Sequence, residues 1–261
     1  MMHVPRRRFG QNFLHDRNII AKIIAAIDPR RTEHFVEIGP GHGALTEPLL
    51  AALDVLHVVE IDRDLIAMLR DRFDAARLII HAGDALEFDF ATLRQPLRVV
   101  GNLPYNISTP LLFHLARYSD RIVDGHFMLQ REVVDRMVAD PSTPAYGRLS
   151  VTLQARFDMA RLFTVGAGAF TPAPKVESAI VRMRPLAVPL LSRAIEPVFQ
   201  SVVTRAFTQR RKTLRNALAG VADQALLASL DIDPGLRPEA LSVHAFIRIA
   251  TAVQHRAAQS P

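Results

Sequence analysis

The run Val99-Val100-Gly101-Asn102-Leu103-Pro104-Tyr105 ends a β-branched stretch in an amide, a proline and an aromatic ring. That order predicts a buried strand emptying into a rigid loop. At the edge of a sheet such a loop offers an amide oxygen, a backbone carbonyl and a flat ring close together. These groups suit a planar ring that carries an amine, because the oxygens accept from the amine while the aromatic stacks on the ring's face. Alone, Asn102 to Tyr105 is equally well read as a strand end and a turn, so the preceding residues decide.

Those residues have a definite order. His34 to Ile38 reads as a short strand, Gly39-Pro40-Gly41-His42-Gly43 as a glycine-rich turn, and 44–53 as a helix with Leu45, Leu49, Leu50 and Leu53 on one face. A second strand, 55–62, follows and ends in acids. This is the opening βαβ of a doubly wound sheet, in which glycines let a ligand approach the backbone at a helix N-terminus. Glu60 lies 21 residues after Gly39, where an acid accepts from ribose hydroxyls. The spacing is G-x-G-x-G rather than the G-x-G-x-x-G of dinucleotide binders, and the acidic Glu37 beside the turn disfavours a pyrophosphate. A carboxylate there suits a ligand with a cationic end, such as the amino-acid part of S-adenosylmethionine. Asp84 follows a third strand (77–80) on the same rim and is placed to accept from an adenine amine.

The elements that must position these groups are those of an α/β protein. Helices are expected at 18–27, 64–73, 108–118 and 132–138, with Ser108 or Thr109 as the cap of the third and Pro110 in its first turn. Strands are expected at 97–101, 126–129 and 179–183, and a helix at 147–157. Phe170-Thr171-Pro172-Ala173-Pro174-Lys175-Val176-Glu177-Ser178 is a proline-stiffened loop. Beyond 186 the strand signal stops, and the spacing predicts about four helices. The expected division is a catalytic domain over 1–185 and a small all-α domain over 186–261.

Composition narrows the function. The 261 residues are 49% hydrophobic and 22% charged, as in a protein with a real core. The absence of Cys excludes disulfides, thiolate nucleophiles and Cys-ligated metal, and the scattered histidines lack metal-ligand spacing. No apolar run is long enough to span a bilayer and no signal-like segment is evident, so a cytoplasmic protein is expected. The formal charge of +6 is unevenly spread. Residues 1–17 hold four Arg against one acid, and 185–261 hold nine Lys/Arg against five acids. Basic ends on a neutral body suggest a polyanion held at the extremities, with Arg6, Arg7 and Arg8 at one end and Arg210, Arg211 and Lys212 at the other. There is neither a G-x-S-x-G elbow nor a P-loop.

Taken in order, Gln11-Asn12-Phe13-Leu14, Glu37 to Gly43, Glu60-Ile61-Asp62, Gly83-Asp84-Ala85, Gly101 to Tyr105 and Phe170 to Val176 resemble the ribosomal RNA adenine N6-dimethyltransferases, most closely their bacterial small-subunit (16S) branch. Each motif is modest; their ordered conjunction over nearly the whole chain is specific. The resemblance implies a Rossmann-like class I methyltransferase sheet of seven strands and S-adenosylmethionine as methyl donor. The substrate it implies is a pair of adjacent adenosines in the 3′-terminal hairpin of 16S rRNA, each dimethylated during small-subunit maturation. Cofactor contacts then fall on Asn12 and Leu14 as a lid, Gly39, Gly41, Glu60, Asp84 and Asn102. The chain is expected to act as a monomer without metal or membrane.

For the chemistry, Asn102 and the Leu103 carbonyl are expected to hold the adenine amine, Pro104 to fix the loop, and Tyr105 to stack on the base with Phe170 as a second wall. Three other readings compete. They are a 23S rRNA adenine methyltransferase of the macrolide-resistance type, a ribosome-assembly factor with incidental methylation, and a nicotinamide dehydrogenase disfavoured by the glycine spacing.

Overall fold

The computed structural model describes residues 12–258. Arg6, Arg7 and Arg8 therefore lie outside the described residues. By contacts the described residues form two units, one of 12–134 and 159–185, the other of 135–158 and 186–258. The sequence suggested a single cut after 185, but the stretch 135–158 groups with the C-terminal residues. The reason is visible in its side chains: Tyr146, Val151 and Ala155 belong to the same apolar cluster as Phe199, Val203 and Phe246.

The first unit is built on β1 (Phe13–Leu14), β2 (His34–Ile38), β3 (Leu56–Glu60), β4 (Leu78–Ala82), β5 (Leu97–Asn102), β6 (Ile122–Gln130), β7 (Phe157–Val165), β8 (Phe170–Thr171) and β9 (Ser178–Pro185). Seven of these form one sheet in the order β4-β3-β2-β5-β6-β9-β7, and β1 pairs with β8 in a separate two-stranded ladder. Strands β2 to β6 are mutually parallel, and β9 runs antiparallel to β6. The chain winds outward from β2 in one direction and from β5 in the other. The switch point between them is where such sheets bind ligands, at the carboxyl ends of the strands.

Local chemistry explains the elements. In α1 (Arg17–Ile27), Asp16 caps the first turn by accepting from the Asn18 and Ile19 amides, and Ile23 and Ile27 face the core. Asp28, at φ 48°, ends that helix. The glycine turn leads into α2 (Thr46–Ala52), whose Leu49 and Leu50 pack against the sheet. Helix α3 (Arg63–Arg72) is capped by the Asp62 carboxylate, which accepts from the Asp64 amide. Gly101 is required by close approach, since a Cβ there would sit 2.6 Å from the Ile38 carbonyl oxygen. Under the sheet, Arg98 is buried and forked onto Asp124 through Nε and Nη2, both at 2.8 Å, with Nη1 reaching Glu33 at 2.7 Å.

Three expectations needed correction here. Strand β7 was missed, because its exposed residues Asp158, Arg161 and Thr164 break up its apolar positions. Strand β6 runs the full length from Ile122, beyond the 126–129 core that its apolar residues mark. Neither Ser108 nor Thr109 caps α4 (Ser108–Ala116): Ile107 holds that position, and the Ser108 hydroxyl instead donates to the Tyr105 carbonyl at 3.1 Å.

The second unit comprises α6 (Arg148–Gln154), α7 (Glu196–Thr208), α8 (Leu214–Ala217), α9 (Gln224–Ser229) and α10 (Val243–Ala258) around the apolar cluster already named, with α5 (Arg131–Met137) crossing its boundary. Tyr146 is fully buried there and donates its hydroxyl to the Leu241 carbonyl at 2.9 Å. Burial pushes its phenol far above the usual range.

Candidate active site

A cavity of about 260 Å³ lies at the carboxyl edge of the first unit's sheet. It gathers Asn12, Leu14, Gly39, Gly41, Glu60, Asp84, Asn102, Leu103, Pro104 and Tyr105, residues spread over more than ninety positions of sequence. The strand ends that deliver them are tied together by the backbone. Gly39 donates to the Val59 carbonyl at 3.0 Å, Gly83 to Glu60 at 2.9 Å, and Leu103 to Met128 at 3.1 Å.

The acids in the cavity differ in environment. Glu60 is the last residue of β3 and only 6% exposed. Its Oε1 accepts from the Ile61 and Asp62 amides at 2.9 Å, and Oε2 from Gly41 at 3.4 Å. Burial raises its carboxyl pKa, and the three amides partly offset that. The effect is to aim a buried carboxylate at the cavity with little freedom to turn. Asp84 holds itself by accepting from the Leu86 amide at 2.9 Å. Glu37 is 2% exposed, and the Thr46 hydroxyl donates to its Oε2 at 2.7 Å. Desolvation is the main cause that pushes Glu37 up to about 7; the Thr46 bond opposes the shift and the nearby Glu60 adds to it.

The glycine turn and the first strand form one wall. Gly39, Gly41 and Gly43 all have positive φ, and a Cβ on Gly41 would meet the Phe13 ring at 3.1 Å. The Phe13 ring also lies 4.0 Å from that of His42. Beside this wall, the Asn102 side-chain Nδ2 donates to the Asn12 carbonyl at 3.0 Å, which joins the end of β5 to the residue preceding β1. With Nδ2 engaged by the backbone, Oδ1 is the acceptor that Asn102 presents. Tyr105 lines the cavity, and its hydroxyl is hydrogen-bonded to the Ser178 hydroxyl at 2.6 Å.

Phe170 is placed differently from the expectation. It is 3% exposed, pairs with Leu14 across the β1–β8 ladder, and packs with Val100, Met128 and Ile180 in the core rather than lining the cavity. The physical reason is that the β1–β8 ladder pairs Phe170 with the buried Leu14, and both belong to the same apolar cluster. Arg210, Arg211 and Lys212 belong to the second unit and are exposed. Arg210 is engaged there by Glu239 at 3.2 Å and by the Pro144 carbonyl at 2.8 Å.

Sequence reasoning missed two contributors. Ile61 is 46% exposed on the cavity lining, an apolar residue between two acids whose partner is not legible from spacing. Thr46, which steadies Glu37, looks in sequence like an ordinary first-turn residue. The histidines are not all scattered in space, for His57 and His81 meet at 2.9 Å on adjacent strands. Among the described residues, no group of three or more His, Cys, Asp or Glu side chains is arranged to hold a metal ion. No helix among them is long and apolar enough to cross a membrane.

A mostly parallel seven-stranded sheet, a glycine turn after its first long strand and an acid ending the next define a class I methyltransferase. A family model described as ribosomal RNA adenine dimethylase matches residues 2–255, and the chain belongs to that family. It is 61% identical over 259 residues to a protein of Aromatoleum aromaticum named ribosomal RNA small subunit methyltransferase A, covering 99% of this chain and 97% of that one. A protein of the same name from Chromobacterium violaceum is 56% identical, with 98% of each chain covered. Among solved structures, a dimethyladenosine transferase from Plasmodium falciparum shares the fold with a TM-score of 0.80 at 23% identity, over 94% of this chain and 98% of that one. The 23S rRNA methyltransferase ErmE superposes with a TM-score of 0.70 at 26% identity, over 93% of this chain and 100% of the other.

Proposed function

We propose that the protein transfers methyl groups from S-adenosylmethionine to the N6 amines of two adjacent adenosines near the 3′ end of small-subunit rRNA, two methyls to each. The observation that carries this reading is that Glu37, Glu60 and Asp84 line the same cavity as Asn102 to Tyr105. The 16S substrate rests on identities of 56–61% to relatives named for the small subunit, against 26% to a 23S enzyme.

The residues present suit the cofactor. Glu60, held by three amides, takes the ribose hydroxyls, and Asp84 takes the adenine amine. Glu37 sits beside the glycine turn for the ammonium end, and Gly41, at positive φ, brings the turn so close to Phe13 that a Cβ would crowd its ring at 3.1 Å. Ile61 offers an apolar surface for the adenine ring. The bound cofactor supplies an electrophilic methyl on a sulfonium. Every remaining task falls to the chain.

Adenine N6 is a poor nucleophile because its lone pair is delocalised into the ring. The Asn102 Oδ1 and the Leu103 carbonyl accept its N–H groups and turn the lone pair out of the ring plane. Pro104 stiffens the loop between them. Tyr105 stacks on the base once it has left the RNA stack, a step needed to bring the amine into a closed site. Catalysis is then mainly positioning and electrostatics. In the second unit the exposed Arg211, Lys212 and Arg215, with Arg210 beside them, hold RNA phosphates. The enzyme acts as a monomer in the cytoplasm.

The test is Asn102→Ala. Cofactor binding weakens but persists, because the three carboxylates remain, while methyl transfer falls by about 10²–10³ or more, the scale of losing a donor or acceptor aimed at developing charge. Near-normal turnover would remove Asn102 from the reaction.

A further inference from the structure

Tyr105 is held at both ends by buried serines. The Ser108 hydroxyl donates to its backbone carbonyl at 3.1 Å, and the Ser178 hydroxyl meets its phenol at 2.6 Å. Ser178 is 73 residues away in sequence and fully buried. Its own position is fixed by pairing with Gln130 across β6 and β9, next to a bond from the Arg131 amide to the Glu177 carbonyl at 2.9 Å. The segment that delivers Ser178 leaves β8, which pairs with Phe13 and Leu14 in the lid. Residues 170–178 thus brace two walls of the cavity, the lid at one end and the Tyr105 ring at the other.

We infer that Ser178 is a positioning residue for methyl transfer: it anchors the Tyr105 phenol, and that anchor matters most for the second methyl on each amine. This rests on the proposed stacking of Tyr105 on the base. An unmethylated amine offers two N–H groups to the Asn102 Oδ1 and the Leu103 carbonyl, which orient the base on their own. After one methyl, a single N–H is left, and the ring's fixed plane takes over more of the orientation. Ser178 is suited to the task because it sits on the sheet rather than on the loop, so it imposes the frame of β9 on a side chain that the loop alone would leave free to tilt. Burial pushes the Tyr105 phenol up and keeps it neutral, so the pair is an exchange between two hydroxyls with no ionic component.

The experiment uses the full chain with unmethylated small ribosomal subunits and compares Ser178→Ala, Tyr105→Phe, their double variant and Tyr105→Ala. The measurements are the cofactor-analogue Kd by calorimetry with S-adenosylhomocysteine, the melting temperature, and the yields of N6-methyl- and N6,N6-dimethyladenosine over time. Loss of one neutral hydrogen bond predicts a slowing of the second transfer by roughly two- to tenfold in Ser178→Ala and in Tyr105→Phe. The first transfer slows less, so monomethyladenosine accumulates while the analogue Kd stays the same. The double variant is no slower than either single one, since each removes the same bond.

Full-rate dimethylation by Ser178→Ala while Tyr105→Ala is inactive would overturn the role of Ser178 alone. Multiplying effects in the double variant, or equal slowing of both transfers together with a loss of analogue binding, would also overturn it. Normal turnover by Tyr105→Ala would overturn the stacking on which the inference rests, and so separates the two failures.

Discussion

Replacing Glu37 by Gln sets stability against binding in a way that can be calculated. The Glu37 carboxyl moves from 4.5 to about 7 on folding, chiefly through burial. At 1.36 kcal/mol per unit, the folded state disfavours the ionised form by about 3 kcal/mol. The protonated form is the one that folding favours. Its contribution to stability is therefore full below about pH 4.5 and is lost as the pH rises through about 7. Gln is a near-isostere that still accepts from the Thr46 hydroxyl and carries no charge to bury. At pH 8 Glu37→Gln is expected to be more stable than the wild type, by up to about 3 kcal/mol in denaturant unfolding, with the gap closing towards pH 5. Binding should move the other way. A charge-assisted contact to the cofactor's ammonium is worth about 1.5–3 kcal/mol, so S-adenosylhomocysteine should bind roughly 10- to 150-fold more weakly at pH 8. Wild-type affinity should itself rise between pH 6 and 8 as Glu37 ionises, and the variant should lack that rise. Calorimetric titration across this range, paired with urea melts, measures both effects. A variant that is less stable at pH 8, or that binds the analogue as tightly as the wild type, would refute the reasoning.

Arg98→Met removes the cation that Asp124 and Glu33 share and leaves Asp124 buried without it. It should cost about 3–5 kcal/mol in urea unfolding, with Arg98→Met/Asp124→Leu recovering most of the loss. Reversing Arg211 and Lys212 to Glu should weaken binding to small-subunit RNA and make its log Kd less steep in log salt, while leaving the Kd for S-adenosylhomocysteine alone unchanged. An unchanged salt slope would assign the turn between α7 and α8 another task.

Much of the site was legible because its residues carry their chemistry in sequence order. The glycine turn, Glu60, Asp84 and Asn102 each follow a β-rich run, and a doubly wound sheet brings the ends of such runs to one rim. The Asn102–Tyr105 loop was legible as a strand exit for the same reason. What escaped notice depended on contacts between distant segments. Phe170 carries no mark of whether its ring faces ligand or core, and in the structure, paired with β1, it belongs to the core. Ser108 looked like a helix cap until its hydroxyl was needed by Tyr105. Strand β7 lacked the regular alternation that marks a half-buried strand, and the kinship of 135–158 with the C-terminal helices rests on a shared apolar cluster that no periodicity reveals.

The central claim is that this cavity places methyl groups on a particular pair of amines. Unmethylated small ribosomal subunits incubated with the full chain and labelled S-adenosylmethionine, then digested and mapped by mass, test it most directly. The account predicts label as N6,N6-dimethyladenosine at two adjacent positions of the 3′-terminal hairpin, appearing about 10²–10³-fold more slowly with Asn102→Ala. Label at other adenosines of the small-subunit RNA, or on any atom other than adenine N6, would contradict it.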